Sequence, residues 1–330
     1  MTTTLNNPAR ILAADIGGTS SRFAAFSLDV LGNLRLQGST WLKTGEAQTF
    51  GELLKNLAQS GFELQPETAD ICVFAVAGPV QRGVFCAPPL IKWTVDLSNA
   101  EGDFGIRRFA LINDFLAQAY ACRSEIGRNA APILSGTVVE DAAVAVIGAG
   151  TGLGKAILLP DGEGHYVGGS SEGGHINFCA ETEQEFKFHQ FMVARLGGNY
   201  ATFNDIVSGR GLSAIHEFLT GKKLDPQQVA SRFADEPETL KWAATFYGRV
   251  CRNFALETLC FGGMYIAGGV AAKNPILIKH PAFAAAFRDS RMHGKVLEQI
   301  PVFLIDNEES GLWGAGFLGA QQLQRKASHG

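Results

Sequence analysis

Short apolar runs, each closed by glycine or a polar residue, punctuate the chain at 11–14, 71–77, 109–112, 143–147, 264–267 and 302–305. They are rich in β-branched and small residues, the pattern of strands buried on both faces. Between them, apolar positions recur with the period of a helix at 50–58, 115–123, 184–196 and 240–259. Asp114 stands where an N-cap belongs, and Gly197-Gly198 where a helix stops. A last helix is expected after Gly311, running through Trp313, Phe317 and Leu318 into a polar tail. Strands alternating with helices predict an α/β chain. Each half opens with a strand that runs into a Gly-Thr turn, Asp15-Ile16-Gly17-Gly18-Thr19 in one and Gly148-Ala149-Gly150-Thr151-Gly152 in the other. That repetition predicts two related domains with a cleft between them. No Pro- or Ser-rich linker separates the halves, so the expected boundary is a hinge after the helix that Asp114 starts. The expected division is a small domain of 1–120 plus 311–330 and a large one of 121–310.

Length and composition narrow the class. A chain of 330 residues with 46% hydrophobic and 18% charged residues is long enough for two buried cores, and is neither membrane-like nor disordered in composition. A net charge of −4 offers no broad positive field, which argues against nucleic acid or an anionic membrane as partner. Cys72, Cys86, Cys122, Cys179, Cys251 and Cys260 are scattered without a Cys-x-x-Cys pair and are read as reduced core thiols. Residues 1–10 are polar and no apolar run approaches a membrane span, so the expected location is the cytoplasm.

Glycine is the outlier, 39 of 330 residues or about 12% against a usual figure near 7%. Its informative share lies at three strand ends: Gly17-Gly18, the run Gly148 to Gly154, and Gly268-Gly269. A glycine turn lets the backbone approach a ligand and points free N–H groups at it, which is how proteins hold phosphate. Each turn alone is ordinary turn chemistry; three together point to a nucleotide site. A Walker A loop would need glycine where Ala149 stands and Ser or Thr where Ala156 stands, and a Rossmann fingerprint starting at Gly148 would need glycine at Leu153. Both fail on their defining residues.

The pattern that remains resembles the actin, Hsp70 and sugar-kinase superfamily, and within it the bacterial glucokinase family of the type without zinc. The resemblance is carried by Asp15-Ile16-Gly17-Gly18-Thr19 with Arg22, Ile112-Asn113-Asp114-Phe115, Gly148 to Gly154, Glu172-Gly173-Gly174-His175, Ser208-Gly209-Arg210-Gly211-Leu212 and Ile266-Ala267-Gly268-Gly269-Val270, in family order over nearly the whole chain. It implies two actin-like (ribonuclease H-like) domains with an interdomain cleft, an ATP-dependent hexose kinase, and a homodimer.

Phosphoryl transfer to a hydroxyl needs positioned phosphates, a metal ion and a carboxylate that accepts the hydroxyl proton. Asp114, at the end of the 109–112 strand, is the expected general base, with a plain N-cap aspartate as the alternative. In the family the Asn113-Asp114 pair holds neighbouring sugar hydroxyls, and residues matching Glu172 and His175 bind the sugar as well. Asp15 faces the phosphate turns and is the expected organiser of hydrated Mg²⁺, with a turn aspartate as the alternative. Gly17, Gly18, Thr19, Gly148, Gly150, Thr151, Gly152, Gly268 and Gly269 are the expected ATP contacts. No zinc is expected, since only Cys179 lies in the stretch after the Gly-His motif.

Two departures fall on sugar recognition. Asn204, followed by Asp205, stands where the family has the glutamate that completes the sugar pocket, and Pro88-Pro89-Leu90 replaces a Thr-Asn shortly before Trp93. Glucose is thus the first expected substrate, with mannose or an amino sugar as alternatives. A sugar- or nucleotide-binding regulator without catalysis stays open. So does a serine hydrolase, because Gly169-Ser170-Ser171-Glu172-Gly173 fits Gly-x-Ser-x-Gly, although 165–167 reads as barely a strand and no helix start follows.

Overall fold

The computed structural model describes residues 7–328. It divides into two compact units, one running to Asn129 and resuming at Asn307, the other Ala130–Asp306. Residues 1–6 and 329–330, which the expected small domain includes, lie outside the described residues.

The first unit begins with strands β1 (Ala9–Ile16), β2 (Ser20–Leu28) and β3 (Leu34–Lys43), then helix α1 (Phe50–Gln59) and strand β4 (Ile71–Val76). A three-stranded ribbon follows, β5 (Val80–Gln81), β6 (Phe85–Cys86) and β7 (Val95–Asp96), then α2 (Ala100–Phe104), β8 (Phe109–Asn113), α3 (Asp114–Ala121) and α4 (Glu125–Arg128). The second unit holds β9 (Ala131–Leu134), β10 (Val144–Ala149), β11 (Leu153–Pro160) and β12 (Tyr166–Ser171). Its helices α5 (Glu183–Leu196), α6 (Phe203–Ile206), α7 (Gly209–Thr220), α8 (Pro226–Ala230) and α9 (Pro237–Thr258) come next. It closes with β13 (Met264–Ala267), α10 (Gly269–Lys273), α11 (Ile276–Lys279), α12 (Pro281–Arg288), α13 (Gly294–Leu297) and β14 (Val302–Leu304). The chain then returns to the first unit as α14 (Ser310–Ser328).

The two large sheets share one plan. In the first the order is β3-β2-β1-β4-β8, with β1 antiparallel to β2 and parallel to β4. In the second it is β12-β11-β10-β13-β14-β9, with β10 antiparallel to β11 and parallel to β13. A three-strand meander continued by parallel strands, once in each unit, is the actin-like arrangement. In both units the first strand of the meander ends in a glycine turn.

Burial follows from the side chains. β1 is buried at Ile11, Leu12, Ala13, Ala14 and Ile16, because α14 covers one face of its sheet while Phe50, Leu53 and Leu57 of α1 pack among the residues of the other. α14 comes close because a Cβ at Gly319 would stand 2.6 Å from Ile11 and one at Gly316 would stand 2.9 Å from the Phe26 ring. The same helix packs along α3 and touches α4, which keeps residues 122–129 with the first unit. In the second unit Phe178, Phe188, Phe203, Trp242 and Phe246 stack edge to face beneath the sheet.

The structure corrects several expectations. The Asp114 helix is capped by Asn113, not Asp114: the Asn113 side chain accepts from Phe115 N–H and Asp114 is the first helical residue. The expected helix 115–123 ends at Ala121 and restarts as α4. Of residues 165–167, read as barely a strand, Tyr166 and Val167 open β12, but only a three-residue 3₁₀ turn, Gly173–His175, follows it. Cys179 is exposed, unlike the five buried cysteines.

Candidate functional site

In the first unit β1 delivers Asp15 to the start of a tight turn. Gly17 N–H donates to the Ser20 carbonyl at 3.0 Å, and the Thr44 hydroxyl donates to the Gly17 carbonyl at 2.7 Å. Thr19 is exposed at the tip, whereas Gly18 faces Leu90, whose Cβ lies 2.9 Å from where a Gly18 Cβ would stand. The Pro88-Pro89-Leu90 segment thus packs on the first glycine turn, and Pro89 packs on Gly78 in the same way, at 3.1 Å. Burial pushes the Asp15 carboxyl above the usual carboxylate range, and Arg22 partly opposes the shift. No hydrogen-bond or ion-pair partner faces that carboxylate among the described residues, since Arg22 stacks over Trp41 and donates to the Glu308 carbonyl. An unpaired, desolvated carboxylate beside a phosphate-type turn suits a hydrated divalent cation.

At the end of β8, Asn113 is a clamp. Its Oδ1 accepts from Phe115 N–H at 2.9 Å and its Nδ2 donates to the Gly78 carbonyl at 3.1 Å. An amide has two N–H donors and two lone pairs, so one of each is left for a ligand. Asp114 is half-buried at the first position of α3, and its Oδ1 also accepts from Phe115 N–H at 2.9 Å. Its charge is felt at Cys86, whose thiol is raised by burial first and by Asp114 second.

In the second unit the turn between β10 and β11 closes through Gly150 N–H donating to the Gly152 carbonyl at 2.8 Å. Gly209 N–H donates to the Gly150 carbonyl at 3.1 Å, tying in the start of α7. Gly268 has φ +85, and a Cβ there would stand 2.7 Å from the Ala149 carbonyl oxygen, so the first and last glycine segments of this unit pack back to back. They wall a hollow of about 580 Å³ that Gly150, Thr151, Gly209 and Gly269 line on one part and Arg210 and Lys273 on another. Arg210 lies inside the Ser208 to Leu212 segment, so its position was visible in the sequence. Lys273 and Asn274, which also line the hollow, carry no signal beyond being a few residues past Gly269.

Asn204, the expected sugar contact, is buried, and its Oδ1 accepts from Leu153 N–H at 2.9 Å. The same oxygen stands 2.8 Å from a Cβ placed at Gly152. Asn204 therefore holds the end of the glycine turn. Glu172 and His175 do meet: their side chains are exposed, with His175 Nε2 4.0 Å from Glu172 Oε2 across the 3₁₀ turn. Ser171 Oγ accepts from Gly173 N–H at 3.0 Å, and the absence of a helix after it denies the nucleophile-elbow geometry.

Comparison with known proteins follows the same lines. The family model described as Glucokinase matches residues 12–322. The glucokinase of Nostoc punctiforme is 28% identical over 344 aligned positions that cover 94% of this chain and 99% of the relative. That of Pectobacterium atrosepticum is 30% identical over 317 positions, covering 93% of this chain and 95% of the relative. Among solved structures, a glucokinase from an Antarctic psychrotroph superposes with a TM-score of 0.80 at 25% identity, over 95% of this chain and 99% of that one.

Proposed function

We propose that this chain, which belongs to the glucokinase family, transfers the γ-phosphoryl group of ATP to the 6-hydroxyl of a hexose, with glucose as the foremost substrate. The observation that carries this reading is the convergence of Gly150-Thr151, Gly209 and Gly269 on one hollow with two cations and no carboxylate among its lining residues. Such a surface suits the phosphates of a nucleotide, which backbone N–H groups and cations hold together.

Asn113, Asp114, Glu172 and His175 would hold the sugar. Asp114 would accept the 6-hydroxyl proton as the oxygen attacks, a role for which an aspartate needs reach and an ionised state. The Asn113 clamp fixes the backbone from which Asp114 projects, and the spare N–H and lone pair of Asn113 serve a neighbouring hydroxyl. Gly17, Gly18, Thr19, Gly148, Gly150, Thr151, Gly152, Gly268 and Gly269 would hold the phosphates. Mg²⁺, held through water by Asp15, would supply charge neutralisation on the phosphates. By family resemblance the protein acts in the cytoplasm as a homodimer, which light scattering of the purified protein tests. Among the described residues no helix is long and apolar enough to cross a membrane.

Asn204 is occupied by the glycine turn, which leaves the sugar pocket without the family's glutamate and favours a panel of hexoses over glucose alone. The panel measures sugar-dependent ADP release for glucose, mannose and glucosamine. Release with glucose largest is the expected result. Release with mannose or glucosamine alone would replace the substrate and keep the kinase, and ligand-induced stabilisation without turnover would indicate a binding protein.

A further inference from the structure

Lys155 is completely buried, at 0% exposure, yet its Nζ has no hydrogen-bond partner among the described residues. The Nζ lies 4.9 Å from the centroid of the Phe254 ring, its nearest compensation. Desolvation pulls the amine below the usual lysine range, while Glu257 and Cys251 on α9 act against that shift. An ionisable group stripped of water without a partner is costly, and an apolar side chain of the same length would avoid the cost.

The place of Lys155 in the fold suggests what it serves. It follows Gly154 directly in β11, between Ile147 of β10 and Ser171 of β12. Its stem runs under the turn that carries Glu172 and His175: a Cβ at Gly173 would stand 3.3 Å from Lys155 Cδ and 3.5 Å from Nζ. Gly174 rests in the same way against the Leu153 carbonyl. The turn therefore lies on residues 153 and 155, the first residues after the phosphate turn, and its backbone is the polar surface next to the orphaned amine.

We propose that Lys155 is a positioning residue for the Glu172–His175 turn: when a sugar is held, the turn settles onto Lys155, whose Nζ donates to a backbone carbonyl of the turn and so fixes both sugar-holding side chains. This rests on the reading that Glu172 and His175 bind the sugar. Glycine at both positions between them keeps the turn close, since a Cβ at 173 would stand 2.9 Å from Ser171 Oγ and 3.3 Å from Lys155 Cδ, and one at 174 would stand 2.0 Å from the Leu153 carbonyl oxygen.

The test is Lys155→Met, which keeps the length and removes the donor, measured for kcat, for KM of sugar and of ATP, for thermal stability, and for sugar-induced protection of the 172–175 amides from hydrogen exchange. The expected result is a protein as stable as wild type or more so, with sugar KM raised about tenfold, ATP KM and kcat within about twofold, and the sugar-induced protection lost. A folded variant with unchanged sugar KM and intact protection overturns the proposal. Should Lys155→Met fail to fold, Gly173→Ala in a Ser171→Ala background, which clears the nearer Oγ contact, decides by comparison with Ser171→Ala alone: raised sugar KM with unchanged ATP KM supports it, and no change overturns it. Failure of wild type to turn over any hexose would remove the sugar-site reading and this proposal with it. Turnover with unaltered sugar KM in the variants would remove this proposal alone.

Discussion

The Asp15 carboxylate ends β1 where α14 passes, with Oδ2 2.8 Å from the position a Cβ on Gly311 would take. Only glycine fits beside it, and the same crowding raises its proton affinity. The sign of the consequence is fixed. A carboxyl whose folded pKa lies above its unfolded value binds its proton in the native state after the unfolded chain has released it, so stability falls as pH rises through that window. Asp15→Asn is therefore expected to melt higher than wild type at neutral pH in metal-free buffer, with the gain fading toward about pH 4, near the ordinary aspartate value of 3.8, while losing sugar-dependent turnover. Equal melting temperatures across that range would show that burial is not what perturbs Asp15. Residue by residue, the placement of Asp15, Asn113 and the glycine turns at strand ends was legible because each follows an apolar run that forms a strand. The work done by Asn113 and Asn204 was not, since both amides bond to backbone groups, Gly78 O and Leu153 N–H, that are distant in sequence.

Among elements, α5 and α9 are joined by a buried ion pair. Arg249 Nη1 and Nη2 reach the two Glu185 oxygens at 2.7 and 3.0 Å, and Arg249 also meets Glu181 at 2.9 Å, which in turn binds Arg252. This network stands just after the Glu172–His175 turn and holds the start of α5, whose N-cap is Thr182. Removing one partner leaves a buried charge, which costs about 3–5 kcal/mol, whereas replacing both with apolar residues is often close to neutral. Arg249→Met is expected to lower the denaturation midpoint strongly, and Arg249→Met with Glu185→Leu to recover most of the loss. A double variant no better than the single would contradict that. The helices α1, α3, α5, α9 and α14 and the doubly buried strands were legible from period and apolar runs, whereas α7 and α12 were not anticipated. The hairpins were not: β3 alternates half-buried with exposed positions along its whole length, so it presents no apolar run. β12 is glycine- and serine-rich, Tyr166 to Ser171, and is held as a strand by its pairing with β11.

For the whole molecule, one topology appears twice, each copy with a glycine turn after its first meander strand. The glycine-rich composition reflects both the turns and the close approach of α14 to its sheet, at Gly316 and Gly319. A chain with this pair of units is expected to phosphorylate a hexose with Asp114 as base. That expectation is tested most directly by comparing sugar-dependent ADP release by wild type and by Asp114→Asn, an isosteric change that removes the proton acceptor and little else. Wild type is expected to release ADP in proportion to the hexose supplied. Asp114→Asn is expected to bind hexose and lose about 10²–10⁴-fold in kcat, the usual worth of a positioned general base. Full activity in Asp114→Asn, with its fold intact, would contradict the account.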